Sequence, residues 1–511
     1  MACGGYIPSG DVYEAGFRQA FCRYINKNLT GDPDCRAYMP LDPYSDKLYD
    51  AVKDGVVLCK IVNKLFPDAI DERAVNKSTN IFYASHRVEN IQLALTAARC
   101  NGCAVRSIAV DDLMGSRTHF KLASLEFFKQ VILKGYFRKI NIHEHPEMFT
   151  LKLAHEDLHD IRCLSPQDIL TRYVNFHLKS AGVTKTLTSF DYDLSDCVVY
   201  AYLLYKIAPV TVRPRLLPPD QVLLDNQLLN RAKAVLQNLR ELGAEMFLCE
   251  DDFINSFTNR ETRGVLHLIT VAFLFNRFAG EMKTYGAGDR PASKESINEL
   301  SSRNFVNSVD VRPFSTHVIS NLRDGHIARQ MFEILRPGFT TGVKFTYEFD
   351  LVRREAQFLQ NNTCIVRLVQ GYPFKLPSLD AERLTRSDLA ICEALLLEML
   401  RSFLTRDAYD EYELLRWTNE QLSRAGIPIE LRSFSDRAIA DENLFAAVLN
   451  NLTNGMASKD FLRGKRLDNA RYYISVAHKA GYRVYTRPEH FETCSPRWVA
   501  IAFAALRWDK N

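Results

Sequence analysis

Residues 54–67 read DGVVLCKIVNKLFP, and the same arrangement of residue types occurs three more times along the chain. In each copy the residues three, four, seven, eight and eleven positions after the first Asp are apolar, and Pro or Asn stands at position thirteen. This spacing places the apolar side chains on one face of an α-helix. We therefore predict four amphipathic helices, each with its Asp as the N-cap. The four copies begin at Asp54, Asp196, Asp324 and Asp441.

Two further markers keep the same order around each copy. The pattern aromatic–X–Asn precedes the Asp, at residues 24–26, 173–175, 305–307 and 417–419. A helical stretch ending in glycine follows it at 90–102, 231–243 and 469–481, and 351–362 is the best candidate in the third copy. Each copy closes with an apolar helix, at 118–137, 262–278, 386–404 and 495–508. Such self-similarity is typical of a repeat architecture.

The markers predict an all-α chain of four tandem domains. No run of alternating apolar and polar residues is long enough to suggest a sheet. The stretch TYGAGDRPAS, residues 284–293, has the composition of a flexible linker and divides the domains into two pairs. The predicted domains span residues 10–138, 165–281, 295–405 (the divergent one) and 409–509, with linkers at 139–164 and 282–294.

Composition excludes several classes of function. The 511 residues contain 65 Lys and Arg against 61 Asp and Glu, so the net charge is only +4, which does not indicate nucleic-acid binding. The apolar runs are too short to span a bilayer, and the first nine residues do not resemble a signal peptide. We therefore expect a soluble, cytoplasmic protein that neither binds nucleic acid nor inserts into membranes.

Several blocks of sequence resemble one known family. INKNLTGDPDCR (25–36), AVKDGVVLCKIVN (51–63) and PDAIDERAVNK (67–77) resemble the first calponin-homology domain of the fimbrin/plastin family of actin bundlers, and LSPQDILTRYVNFHLKSAG (164–182) resembles its second domain. Tyr24, Tyr173 and Phe305 stand where this family usually has Trp. Because these rings can still fill a core, the resemblance implies that the fold is retained.

The resemblance implies a non-catalytic protein without a cofactor or a bound metal. Each pair of domains would form one actin-binding domain, and one monomeric chain would cross-link two filaments in the cytoskeleton. Family members often carry paired EF-hands, but no D-x-D-x-D-G loop occurs here, so calcium-independent bundling is expected.

The same resemblance implies a set of actin-contacting residues. The first helix would turn its polar face outward, opposite Phe17, Ala20, Phe21, Tyr24 and Ile25. The loop at residues 77–82, the closing helix of the first domain and the first helix of the second domain would complete the surface. The candidate residues are Arg18, Gln19, Arg23, Asn26, Lys27, Lys77, Ser78, Thr79, Asn80, Arg117, Lys121, Lys129, Lys134 and Lys179.

Two alternatives stay open on the sequence. A chain whose second pair of domains no longer binds actin would be a side-binder of single filaments or an adaptor. More distantly, His155, Glu156 and His159 fit the H-E-x-x-H pattern of zinc hydrolases, in which two imidazoles bind zinc and the Glu acts as a base. His143 and His145 are then possible third ligands.

Overall fold

The structure, a computed structural model, describes residues 10–77, 83–115, 119–254, 260–282, 294–376, 378–405 and 409–509. The predicted linker segment 284–293 and the candidate residues Ser78, Thr79, Asn80 and Arg117 lie outside these ranges. The regular elements in the described ranges are helices, and no strand occurs among them. The predicted all-α class is therefore confirmed.

The helices follow the order that the four repeats predict. The first repeat contains α1 (Gly10–Leu29), α2 (Lys47–Val52), α3 (Val56–Leu65), α4 (Ala84–Cys100), α5 (Val110–Leu113) and α6 (Phe120–Phe137). After α7 (Leu158–Cys163), the second contains α8 (Pro166–Ser180), α9 (Val198–Ile207), α10 (Pro219–Leu224), α11 (Leu228–Glu241), α12 (Asp251–Ile254) and α13 (Arg260–Phe278). The third contains α14 (Ile297–Ser308), α15 (Val318–Asn321), α16 (His326–Leu335), α17 (Arg354–Gln370), α18 (Ala381–Thr385) and α19 (Leu389–Thr405). The fourth contains α20 (Glu411–Arg424), α21 (Glu442–Thr453), α22 (Arg466–Lys479), α23 (Pro488–Glu492) and α24 (Pro496–Trp508).

Internal contacts divide the chain into two compact units. The first unit comprises residues 1–53 and 111–294, and the second comprises residues 54–110 and 295–511. The division assigns α3 and α4 to the unit that also contains the third and fourth repeats. It therefore cuts across the predicted domain 10–138, whose boundaries stay a prediction.

In three of the four repeats the N-cap is the residue after the repeated Asp, and not the Asp itself as predicted. Asp54 accepts a hydrogen bond from the Val56 N–H at 3.0 Å, but the residue that caps α3 is Gly55, in the left-handed region at φ 77°. Cys197 and Gly325 occupy the same conformation at φ 69° and 78°. Asp441 alone among the four is itself the N-cap. The apolar stripes of these helices are buried as predicted, apart from half-buried Leu335 and Leu452.

The Asn of each aromatic–X–Asn marker ties the first helix of its repeat to the chain that follows. The side-chain amide of Asn26 donates to the Leu41 carbonyl at 2.8 Å, and its oxygen accepts from the Leu41 N–H at 2.7 Å. The three other Asn residues make the same two-bond clamp. The clamped pairs are Asn175–Leu187, Asn307–Ser315 and Asn419–Leu431.

The glycine marker is confirmed in three repeats and differs in the third. Gly102, Gly243 and Gly481 follow their helices with φ of 88°, 68° and 94°, as a left-handed helix end requires. The prediction of a helix at 351–362 was wrong in its bounds, because α17 begins at Arg354 and continues to Gln370. Gly371, which follows this helix, has φ −87°. The helix therefore ends without the left-handed glycine found in the other three repeats.

Within the second unit, α4 packs against α22. Arg73, just before α4, donates to the carbonyls of Phe461 and Asp468 at 2.5 Å, and its guanidinium lies 5.0 Å from the Tyr472 ring centre. Lys479 of α22 forms an ion pair with Glu89 of α4 at 3.1 Å. These contacts explain why residues 54–110 belong to the same unit as the fourth repeat.

Candidate functional site

The apolar face of α1 is buried as predicted, but its polar face does not point outward throughout. The exposed fraction of Tyr24 is 3%, and those of Phe17, Ala20, Phe21 and Ile25 are zero. On the opposite side, Arg18 is half-buried, and its Nε donates to the Pro43 carbonyl at 3.2 Å while its Nη1 donates to Glu14 at 3.3 Å. Gln19 is half-buried as well.

Arg23 and Lys27 face the second repeat. Arg23 donates from Nε to the Met246 carbonyl at 2.9 Å and from Nη2 to the Phe247 carbonyl at 3.0 Å. Lys27 donates to the Ala244 carbonyl at 3.2 Å and lies 3.5 Å from the Glu245 carboxylate. The expectation of an outward face was therefore wrong for Arg23, because its guanidinium donates hydrogen bonds to backbone carbonyls of residues far along the chain. Lys27 keeps 48% of its side chain exposed.

Residues 244–247 and α1 form a joint between the first two repeats, which we call the first joint. The rings of Tyr24 and Phe247 stack with centres 5.2 Å apart. The second unit contains an equivalent contact, the second joint, where Phe305 of α14 meets Tyr485 with ring centres 5.5 Å apart. Phe247 and Tyr485 each stand four residues after the marker glycine, so the spacing of these two rings is a sequence signal for the joints.

The candidate lysines of α6 differ in their exposure. Lys121 keeps 42% of its side chain exposed and forms an ion pair with Asp46 at 2.9 Å. The hydrogen bond that Lys121 donates to the Asp46 carboxylate raises the pKa of this lysine. Lys129 keeps only 13% exposed and contacts Glu126 at 2.5 Å and Glu261 at 3.8 Å. Lys134 is half-buried beside the ring of Phe137.

Two further candidates are exposed on their elements. Lys179 lies in the last turn of α8, and Lys77 is the last described residue before the segment 78–82. Asn26 is half-buried, and its amide is committed to the Leu41 clamp. The candidates with the most open side chains are therefore Lys27, Lys77, Lys121 and Lys179.

The zinc alternative finds no support in the described residues. His155 precedes α7, which begins only at Leu158, so the two histidines do not share one helical face as the motif requires. The carboxylate of Glu156 accepts two hydrogen bonds from the Arg172 guanidinium at 2.6 and 2.7 Å, and these bonds lower its pKa. Within the described ranges, no three His, Cys, Asp or Glu side chains are grouped to hold a metal ion. His145, a possible third ligand, instead contacts Asn276 at 3.2 Å.

Among the described residues, no helix has both the length and the apolar content needed to cross a membrane.

The chain resembles known proteins over nearly its whole length. The family description "Calponin homology (CH) domain" matches residues 17–135, 164–280 and 409–508, and the predicted domain 295–405 lies between the last two matches. Plastin-1 of Bos taurus is 30% identical over 514 residues, and plastin-3 of Homo sapiens is 29% identical over 522 residues. Each alignment covers 97% of this chain and 80% of the relative.

A solved structure matches the arrangement of helices. The crystal structure of the actin-crosslinking core of Schizosaccharomyces pombe fimbrin superimposes with a TM-score of 0.77 at 26% identity, and the match covers 96% of this chain and 99% of that one. The sequence repeats and the helix order agree with these matches. The chain therefore belongs to the plastin/fimbrin family of tandem calponin-homology proteins.

Proposed function

We propose that this protein binds and cross-links actin filaments as a non-catalytic, monomeric component of the cytoplasmic cytoskeleton. The observation that carries the proposal is the match of 96% of the chain to an actin-crosslinking core. The duplication of the joint supports it, because Tyr24–Phe247 and Phe305–Tyr485 hold two pairs of repeats in the same way. Two pairs on one chain give two filament sites without dimerisation.

The first filament site is proposed on the first pair of repeats, around the exposed lysines. Lys27, Lys121 and Lys179, all in the first unit, supply positive charge to an acidic filament surface. Lys77, in the second unit, is proposed as a separate contact. Arg18, Arg23, Asn26, Lys129 and Lys134 contribute mainly by positioning, since they are half-buried, and the side chains of Arg18 and Lys129 are less exposed than those of Lys27 and Lys121. We also propose that bundling is independent of calcium.

A second candidate function rests on α14. Residues from Ser301 to Ser308 of this helix are all buried, so the first helix of the third repeat presents little polar surface to a filament, in contrast to α1. If this burial persists on the filament, the second pair contributes no site. The protein would then decorate single filaments without bundling them.

Co-sedimentation with filamentous actin tests both functions. Low-speed pelleting measures bundles and high-speed pelleting measures bound filaments. The full chain should pellet actin at low speed, whereas pelleting only at high speed would favour the side-binder. No pelleting at either speed would contradict actin binding itself.

A charge reversal locates the first site. Lys179→Glu should weaken filament binding by about tenfold at low salt and by less as salt increases, because exposed charges are screened. Lys233→Glu, which changes an exposed lysine of α11 outside the proposed surface, is the matched control. Equal effects of the two variants would remove Lys179 from the site.

A further inference from the structure

A cavity of about 500 Å³ lies in the second unit between α19 and α24. We call it the α19–α24 cavity. Leu376 and Leu379, before α18, and Phe434 and Ser435 line its other sides. Its volume falls within the range of about 300–1,000 Å³ that small-molecule sites occupy.

The cavity follows from the length of one helix. α24 has 13 residues, whereas α13, the closing helix of the second repeat, has 19. Both helices end at an aromatic residue, Trp508 and Phe278, so the missing residues lie at the amino end of α24. At 1.5 Å per residue the difference amounts to roughly 9 Å of helix. In the first unit this part of α13 contacts both neighbouring helices: a methyl group of Thr262 lies 3.0 Å from the Cβ position of Gly16 on α1, and Glu261 lies 3.8 Å from Lys129 on α6.

The inner wall of the cavity is apolar. Leu397 of α19, Phe434 and Ala500 of α24 line it and are 7%, 2% and 1% exposed. Ile391 and Ala394, on the first two turns of α19, extend this wall towards the opening and are half-buried. A hydrocarbon group placed here would leave water and contact apolar side chains on several sides.

Positive charge surrounds the same cavity. Four basic residues line it, against two acidic residues, Glu398 and Glu411. Glu398 is already bound, because it accepts a hydrogen bond from Arg401 Nη1 at 2.5 Å and another from the Lys375 backbone N–H at 3.2 Å. The basic residues are Lys375, Arg383, Arg401 and Arg497. Arg383 forms an ion pair with Asp388 at 3.0 Å, so Lys375 and Arg497 are the basic residues available to a ligand.

Arg401 also has an unused donor. Its guanidinium stacks on the Tyr409 ring at 4.6 Å, and its Nε is buried without a hydrogen-bond partner in the described part of the chain. A buried donor without a partner is costly, and an anion near the guanidinium would reduce this cost. Lys375 and Arg497 are exposed at the edge of the cavity, where they can approach a charged group.

We propose that the α19–α24 cavity binds an amphiphilic anion, with a hydrocarbon tail against Leu397 and Phe434 and a single carboxylate or phosphate head at Lys375 and Arg497. The apolar wall selects the tail, and the two exposed basic residues, Lys375 and Arg497, select the charge of the head. This site shares no residue with the proposed filament surface of the first pair, and its existence does not depend on actin binding.

Calorimetric titration of the full chain tests the site, with decanoate as the probe and decanol as its uncharged counterpart. Decanoate should bind at one saturable site and raise the unfolding temperature, and decanol should bind at least about tenfold more weakly. Decyl phosphate should bind as well, and its affinity relative to decanoate identifies the preferred head group. Equal affinities for decanoate and decanol would contradict the role of the basic residues.

Two variants assign the binding to this cavity. The double variant Lys375→Gln/Arg497→Gln should weaken decanoate binding by about tenfold or more. Arg424→Gln/Arg432→Gln, which neutralises two exposed arginines elsewhere in the fourth repeat, is the matched control and should leave binding unchanged. Ala394→Phe should fill the cavity and abolish binding, with circular dichroism confirming the fold.

Several results would overturn the proposal. Absence of saturable decanoate binding would do so. An equal loss of decanoate affinity in Lys375→Gln/Arg497→Gln and in its control variant would do so as well. Uptake of an acidic Leu/Glu peptide without uptake of decanoate would assign the cavity to a protein partner instead. Because these readouts involve no actin, they stand whether or not the protein bundles filaments.

Discussion

Asn26 shows how one polar side chain can be mistaken for a binding residue. Its position on the polar side of α1 suggested contact with a partner, but both atoms of its amide bind the backbone of Leu41. The same clamp in the other three repeats indicates that the aromatic–X–Asn marker records a folding requirement. The ring anchors the helix in the core, and the Asn fixes the chain that leaves it.

We predict that Asn26→Ala destabilises the protein by about 2–3 kcal/mol, because two hydrogen bonds are lost and the Leu41 backbone is left without its partner. Urea denaturation of the full chain, followed by circular dichroism, measures the change. Asn28→Ala is the control, since the Asn28 amide bonds only to the Tyr24 carbonyl of its own helix at 2.9 Å. Equal stability of Asn26→Ala and the parent chain would show that the clamp contributes nothing.

At the scale of elements, the start of α3 requires glycine for two separate reasons. Gly55 has φ 77°, and a Cβ placed on it would lie 2.6 Å from the Asn90 Cβ and 2.7 Å from the Ile91 nitrogen. The positive φ strains any L-residue, and the short distances to Asn90 and Ile91 leave no room for a side chain between α3 and α4. Cys197, at the equivalent place before α9, shows that the conformation alone can be tolerated.

Gly55→Ala should therefore cost more than about 2 kcal/mol, as strain and a backbone clash act together. The comparison is Gly426→Ala, because Gly426 has φ 70° with no atom within 4 Å of its Cβ position. Gly426→Ala should destabilise the protein by only about 1 kcal/mol, because only the positive φ disfavours the new side chain. Thermal unfolding of both variants gives the difference, and equal losses would show that the approach of α4 does not restrict this position.

The first turn of α14 contains a carboxyl group that titrates near neutrality. Burial, followed by repulsion from Glu295 and Glu393, raises the pKa of Glu299 to about 7. Arg303 opposes this shift but is held by Glu295 at 2.6 and 2.8 Å, and the backbone N–H of Ile319 also favours the charged form. The folded protein therefore binds a proton here more tightly than the unfolded chain does.

This shift predicts that the second unit loses stability as the pH rises from about 4.5, the ordinary value, to about 7. Over that interval the folded state holds the proton and the unfolded state has released it, so the free energy of unfolding falls with pH. Glu299→Gln should flatten this dependence and raise the unfolding temperature at pH 8. Glu430→Gln, at an exposed position, should change neither, and an unchanged pH profile in Glu299→Gln would contradict the assignment.

The sequence predicted local structure better than contacts between distant residues. The stripes of α3, α9, α16 and α21 are encoded by spacing within one helix, so periodicity alone locates them. Periodicity identifies the apolar side of α1, but it carries no information about what meets the polar side. The hydrogen bonds of Arg23 to Met246 and Phe247 join residues more than two hundred positions apart, and only the folded chain places them together.

At the scale of the whole molecule, the two joints explain how four similar repeats form two pairs. In each pair, the first helix of one repeat receives an aromatic ring from the segment after the marker glycine of the next repeat. The second joint adds a hydrogen bond at 2.7 Å between the hydroxyls of Ser308 and Tyr485. Since filament binding by a pair depends on the relative placement of its repeats, each joint should control one filament site.

Phe247→Ala and Tyr485→Ala test whether both pairs bind filaments. Each variant removes one buried ring, which costs about 3–5 kcal/mol locally, and circular dichroism should confirm that the helices remain. If both pairs carry a site, either change alone should abolish low-speed pelleting of actin while high-speed pelleting continues through the intact pair. Phe461→Ala, which removes a ring that is 47% exposed and belongs to neither joint, should leave both measurements unchanged. If Phe247→Ala abolishes pelleting at both speeds, no filament site remains on the second pair and cross-linking by a single chain is excluded.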